Sequence, residues 1–155
     1  MERCVVQEEK VTKDILNWLE KNGWKIICYD FPQSGTGVLL HLNSDKRTEK
    51  NKGGIIPDIV AVKNNTGILF ENKDRFYAPD FDKLHEIKTQ SNYSNSLEQL
   101  LAGMNVKMIY YGVGVPELKI NIEKFKPHLE KIDFLISTNK EGELKVHFDS
   151  KKVFT

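Results

Sequence analysis

Two apolar runs, IPDIVAVK and GILFENK, meet around the tetrad Asn64-Asn65-Thr66-Gly67, and no other stretch limits the fold of this chain as much. Asn and Gly tolerate the positive φ that tight hairpin turns require, so the runs read as antiparallel partner strands. A four-residue turn over 64–67 in simple register sets Lys63 against Ile68, Val60 against Glu71 and Asp58 against Lys73. Side chains alternate along a strand, so Asp58, Val60 and Val62 share one face, as do Leu69, Glu71 and Lys73. Asp58 and Glu71 are then diagonal neighbours, close enough to share an ion. The charges stand where the apolar runs end, at the mouth of a cleft.

The flanking sequence supplies the remaining elements. A helix is expected over about 5–22, stopped by Asn22-Gly23, with Val11, Ile15, Trp18 and Leu19 as its apolar stripe. Glu8 falls on that stripe and Glu9 beside it. WKIICYDF (24–31) and GVLLHLN (37–43) read as strands across a PQSGTG turn. Residues 79–90 read as a helix carrying Phe81, Leu84 and Ile87. Ser96 and Gln99 fit a capping box opening the next helix. VKMIYYGVGV (106–115) has the continuous apolar character of a strand buried on both faces. A helix around 121–131 and strands over 132–138 and 144–150 complete the pattern. This order predicts an α/β fold, a central mixed sheet with helices on both faces. With no internal repeat or linker, residues 1–155 read as a single domain.

Composition narrows the functional classes. The 155 residues are 39% apolar and 29% charged, as in a soluble globular protein. No apolar stretch approaches the roughly 18–20 residues of a membrane span. Glu2, Glu8 and Glu9 interrupt the N-terminal segment where a signal peptide needs an apolar core. Cys4 and Cys28 have no CxxC spacing, which argues against a disulfide framework or zinc site, and a reducing cytoplasm is expected. His41, His85, His128 and His147 are scattered without metal-ligand spacing. The net charge is +1, and Lys46, Arg47, Lys50 and Lys52 make 44–54 the most basic stretch. That stretch reads as a solvated loop.

Two carboxylates held together repel one another unless a cation lies between them. Oxygen-only ligation suits Mg²⁺, which keeps several waters and takes one or two carboxylates plus substrate phosphates. A lysine beside such an ion can stabilise developing negative charge or ease deprotonation of a water.

Pro57-Asp58, twelve residues, then Glu71-Asn72-Lys73 resembles the motif of the PD-(D/E)XK nuclease superfamily, which includes type II restriction endonucleases, Holliday-junction resolvases and repair nucleases. The element order over residues 5–115 is similar to that family's core, a restriction-endonuclease-like fold. The resemblance implies Mg-dependent hydrolysis of DNA phosphodiesters to a 5′-phosphate and a 3′-hydroxyl, with Mn²⁺ able to substitute. It assigns the metal to Asp58, Glu71 and the Asn72 backbone carbonyl, and the water to Lys73. Glu8 matches the family's helix-borne acid, with Glu9 the fallback. Arg75 and the 44–54 bases are candidate contacts to double-stranded DNA, while Tyr77, Lys83, Lys88, Gln90 and Tyr93 are weaker candidates to line a groove. The size and near-neutral charge lean toward the small cleavage subunit of a heterodimeric restriction enzyme, with a homodimer, a resolvase or repair nuclease, and a non-catalytic DNA-binding or regulatory protein as alternatives.

Overall fold

A computed structural model describes residues 2–30, 56–90 and 93–155. The strand expected over 37–43 and the basic stretch 44–54 lie outside the described residues.

The hairpin forms where the sequence places it. Strand β2 (Ile59–Lys63) returns as β3 (Thr66–Asn72). The turn is tighter than the four-residue reading: Lys63 pairs with Thr66, leaving Asn64-Asn65 as a two-residue loop with Asn64 at φ +56. The short polar side chain of Asn allows that left-handed position, so the strands close two residues sooner. The shift keeps every side chain on its expected face but changes partners. Val60 faces Leu69 and Ile59 faces Phe70, and one further step brings Asp58 level with Glu71, not diagonal to it.

Helix α1 (Glu2–Lys21) precedes the hairpin and stops at Gly23, whose φ of +87 closes the helix end. Strand β1 (Lys25–Tyr29) pairs antiparallel with β2. After the hairpin come helices α2 (Ala78–Gln90) and α3 (Ser94–Leu100) and strand β4 (Met108–Pro116), which lies parallel to β3. The expected 121–131 helix divides into a short α4 (Ile122–Phe125) and a 3-10 turn over Lys126–Lys131. Pro127 has no N–H to continue an α-helical ladder, which accounts for the break. Strand β5 (Phe134–Thr138) is parallel to β4, and β6 (Leu144–Asp149) closes the sheet antiparallel. The capping box is not formed. α3 begins at Ser94 after an N-cap Tyr93 without a side-chain cap, and Ser96 lies buried inside the helix. Burial of Tyr93 and Leu97 fixes where this helix starts, overriding the local capping preference.

Among the described residues six strands run in spatial order β1-β2-β3-β4-β5-β6, with β3 and β4 the central pair of these. Val11, Ile15 and Leu19 of α1 cover one face over Ile59, Ala61, Ile68, Phe70, Phe134 and Ile136. The other face carries Phe81, Leu84 and Ile87 of α2 with Leu97 and Leu101 over Val60, Leu69, Tyr111 and Val113. This is a mixed α/β sheet flanked by helices on both faces. Among the described residues, no helix is long and apolar enough to cross a membrane.

Candidate active site

The carboxyl ends of β3 and β4 lie side by side, the place where open α/β sheets bind ligands. Lys73 N–H donates to Gly114 O at 3.0 Å. Alternation along a parallel ladder therefore turns the N–H and C=O of Asn72 away from β4, toward Asp58. The Asn72 N–H donates to Asp58 Oδ2 at 2.7 Å, and Asp58 N–H donates to Phe70 O at 3.1 Å. Asp58, which immediately precedes β2, is thus fixed against the end of β3 by side chain and backbone together.

Asn72 also ties the site to the opposite face. Its Nδ2 donates to Thr12 Oγ1 of α1 at 3.0 Å. Gly114 makes room for it: a Cβ there would stand 2.5 Å from Asn72 Oδ1 and 2.5 Å from Ile15 Cδ1. Only glycine fits so close to both. This docking brings α1 near enough for Glu8 Oε1 to lie 3.4 Å from Lys73 Nζ. Glu9 instead pairs with Lys13 along the helix at 3.3 Å, so Glu8 is the α1 acid that reaches the site. The ring of Tyr77, half-exposed, lies 5.1 Å from Lys73 Nζ.

Glu71 points to the α2 face and is almost fully buried, as is Asp80 at the start of α2. Lys83 Nζ stands 3.9 Å from Glu71 Oε2 and 3.9 Å from Asp80 Oδ1. Glu71 Oε1 and Asp80 Oδ2 have no hydrogen-bond partner among the described residues. Four acids, Glu8, Asp58, Glu71 and Asp80, therefore surround two lysines.

Their electrostatics follow from that crowding. Burial, then the charges of Glu8 and Asp80, push the Asp58 carboxyl from 3.8 to about 7 against the opposing Asn72 N–H. Burial and the Asp58 charge raise Glu71 well above the usual carboxylate range. Burial also raises Asp80, opposed by Lys73 and Lys83. Partial burial pulls Lys73 down, but Asp80, Glu8 and Asp58 outweigh it and the net shift is upward. Like charges in a dry site take up protons or a cation to relieve their repulsion.

Of the sequence-derived candidates, Asp58, Glu71, Asn72, Lys73 and Glu8 converge here. Arg75 is largely exposed, with its NH1 3.2 Å from Asp74. Lys88 pairs with Asp133 and lines a surface cavity with Ile87, Leu97 and Tyr111, apart from the acidic cluster, whereas Tyr93 is buried. Lys46, Arg47, Lys50 and Lys52 lie outside the described residues. Asp80 was missed. It reads as an ordinary first-turn helix acid, yet it precedes Leu84 by four and Ile87 by seven, which places it on the buried stripe.

The donors are all oxygen, the set that suits Mg²⁺ or Mn²⁺, and a buried unpartnered carboxylate oxygen fits a cation. Among the described residues, no three His, Cys, Asp or Glu side chains close around one point. Any ion here takes its remaining ligands from backbone carbonyl, water or substrate. No protein-family model matches the chain, and no curated protein sequence matches it significantly. The fold and site together define an α/β domain with a buried acidic cluster and two lysines at the carboxyl end of its central strands.

Proposed function

We propose that the chain is a metal-dependent endodeoxyribonuclease of the PD-(D/E)XK type, hydrolysing DNA phosphodiester bonds. One observation carries the reading: Asp58 and Glu71, thirteen positions apart, are brought together with Lys73 at the end of β3 by the Asn72 N–H to Asp58 bond. A solvated strand end would not bury Glu71 or leave one of its oxygens unpartnered.

Asp58, Glu71 and the Asn72 carbonyl are the residues that would hold Mg²⁺, with Mn²⁺ as a substitute. Such an ion, when bound, supplies charge neutralisation for the phosphate and leaving oxygen. The chain does the rest. Glu8 holds the Lys73 ammonium at the rim, where it orients the attacking water and faces the phosphate with positive charge. Thr12 and Gly114 fix Asn72, and through it the position of its carbonyl. The near-neutral net charge of +1 favours a cleavage subunit that relies on a larger DNA-recognition partner over a self-sufficient homodimer.

The test is incubation of pure protein with supercoiled plasmid and Mg²⁺ beside Glu71→Ala and Lys73→Ala. Discrete linear products lost in both variants support a self-sufficient endonuclease, and slow nicking lost in both supports a subunit. Lys73→Ala is expected to keep DNA binding in a gel-shift assay. Cleavage that survives both substitutions refutes the reading, and metal-stimulated DNA binding without cleavage favours a non-catalytic DNA-binding role.

A further inference from the structure

Asp80 lies outside the hairpin that carries the nuclease resemblance, yet it is among the most buried polar residues of the protein, 1% exposed. It shares its surroundings with Glu71, 4% exposed. Each carries one oxygen without a hydrogen-bond partner among the described residues, Asp80 Oδ2 and Glu71 Oε1. Buried carboxylate oxygens are ordinarily satisfied, and two orphans on adjoining elements are a demand for positive charge.

Lys83 meets that demand incompletely. Its Nζ is 3.9 Å from Glu71 Oε2 and 3.9 Å from Asp80 Oδ1, at the limit of an ion pair and beyond hydrogen-bond reach. Its side chain is 37% exposed. The ammonium stands nearest the other oxygen of each acid and leaves Glu71 Oε1 and Asp80 Oδ2 unserved.

We propose that Glu71 and Asp80 bind a divalent cation of the Mg²⁺ or Mn²⁺ type, and that Lys83 is the resident counter-ion this cation displaces. Two carboxylates match the charge of one divalent ion, and the third positive charge that Lys83 would add then has no reason to remain. Lys83 has an open path to water. Because Glu71 belongs to β3 and Asp80 to the first turn of α2, the ion fastens that helix end to the sheet. The inference rests on the metal-site reading for Glu71 and extends it to an acid from a separate element.

The experiment is titration of Mn²⁺ into the full chain without nucleic acid, with bound ion read from loss of the free-ion electron paramagnetic resonance signal. Asp80→Asn, close to isosteric, is expected to weaken binding about tenfold or more. Lys83→Met is expected to tighten it several-fold by removing the competitor. These opposite signs are the diagnostic result. Unchanged affinity in Asp80→Asn overturns the site, and unchanged or weaker binding in Lys83→Met overturns the counter-ion role. If Asp58→Asn loses Mn²⁺ while Asp80→Asn keeps it, the hairpin site stands and the Asp80 site falls. If the wild type takes up no Mn²⁺, both fall. Loss of Mn²⁺ in Asp80→Asn supports this site whether or not the wild type cleaves plasmid, and plasmid cleavage that survives Glu71→Ala and Lys73→Ala refutes the nuclease reading alone.

Discussion

Helix α2 meets a buried carboxylate near each of its ends, and the two are treated differently. Toward its C-terminal end, Lys88 Nζ donates to Asp133 Oδ1 at 2.6 Å and the Tyr111 N–H donates to Asp133 Oδ2 at 2.9 Å. Both oxygens are engaged, and Asp133 works as a bracket between helix and sheet. At its N-terminal end, Lys83 stands off at 3.9 Å, and among the described residues one oxygen each of Glu71 and Asp80 has no donor. A fold able to satisfy a buried acid at one end of a helix has left two unsatisfied at the other. On the proposed metal site, the contrast separates an acid that holds the structure from acids set aside for a ligand, since perturbed acids of this kind gather at functional sites.

The largest expected effect falls on chemistry. Glu71→Ala should lower the initial rate of plasmid nicking roughly 10³-fold, about 4 kcal/mol of barrier, with Mg²⁺ present. Equal rates would place Glu71 with Asp133 among the structural acids. Next comes the bracket itself. Asp133→Ala, which strands the Tyr111 N–H and the Lys88 ammonium, should cost about 2–4 kcal/mol in urea unfolding, and added Mg²⁺ should not restore it. A Mg²⁺-rescued Asp133→Ala protein would erase the distinction between the two ends.

A smaller effect is expected from pH. The folded Asp58 carboxyl holds its proton up to about 7, against 3.8 as its ordinary value, with burial the main cause. The folded state then binds more protons than the unfolded one between those values. The stabilisation is complete below pH about 4 and is lost as pH rises through about 7. Melting temperature in EDTA should fall across that window, and Asp58→Asn should flatten the fall. A melting temperature that rises from pH 4 to 7 and is unmoved by the substitution would show that the site acids do not govern the trend. The smallest effect belongs to a solvated pair between Asp82 of α2 and Lys131 of the 3-10 turn, 2.6 Å apart, where the Asp82 side chain is 62% exposed. Lys131→Ala should change stability by less than about 1 kcal/mol, seen as an unchanged urea midpoint within error. A loss as large as that of Asp133→Ala would mean burial is not what separates these acids.

The sequence made the hairpin legible because Asn-Gly turn chemistry and period-two alternation are local. Face assignment survived even though the register slipped by two, since an even shift keeps parity: Leu69 and Glu71 lie on the α2 side, Ile68 and Phe70 on the α1 side. Loop length was harder to read, because Asn64 at φ +56 turns the chain and Gly67 falls inside β3. The choice between Glu8 and Glu9 was out of reach, as adjacent helix residues differ by only about a third of a turn. It is set by Thr12 docking on Asn72. Asp80 could be found only by treating an acid on an apolar stripe as a signal. The capping box at Ser96 and Gln99 failed because burial of Tyr93 and Leu97 outweighed a local preference.

The bond from Asn72 to Thr12 spans sixty residues of sequence. Closing so long a loop is slow beside zipping a hairpin across a two-residue turn, because its entropy must be lost before any contact compensates. The hairpin that carries Glu71 is thus expected early in folding, whereas Glu8 reaches Lys73 only after α1 has docked. During refolding, then, the return of the site would report the last long-range closure, and a chain could recover most of its sheet while its chemistry was still missing.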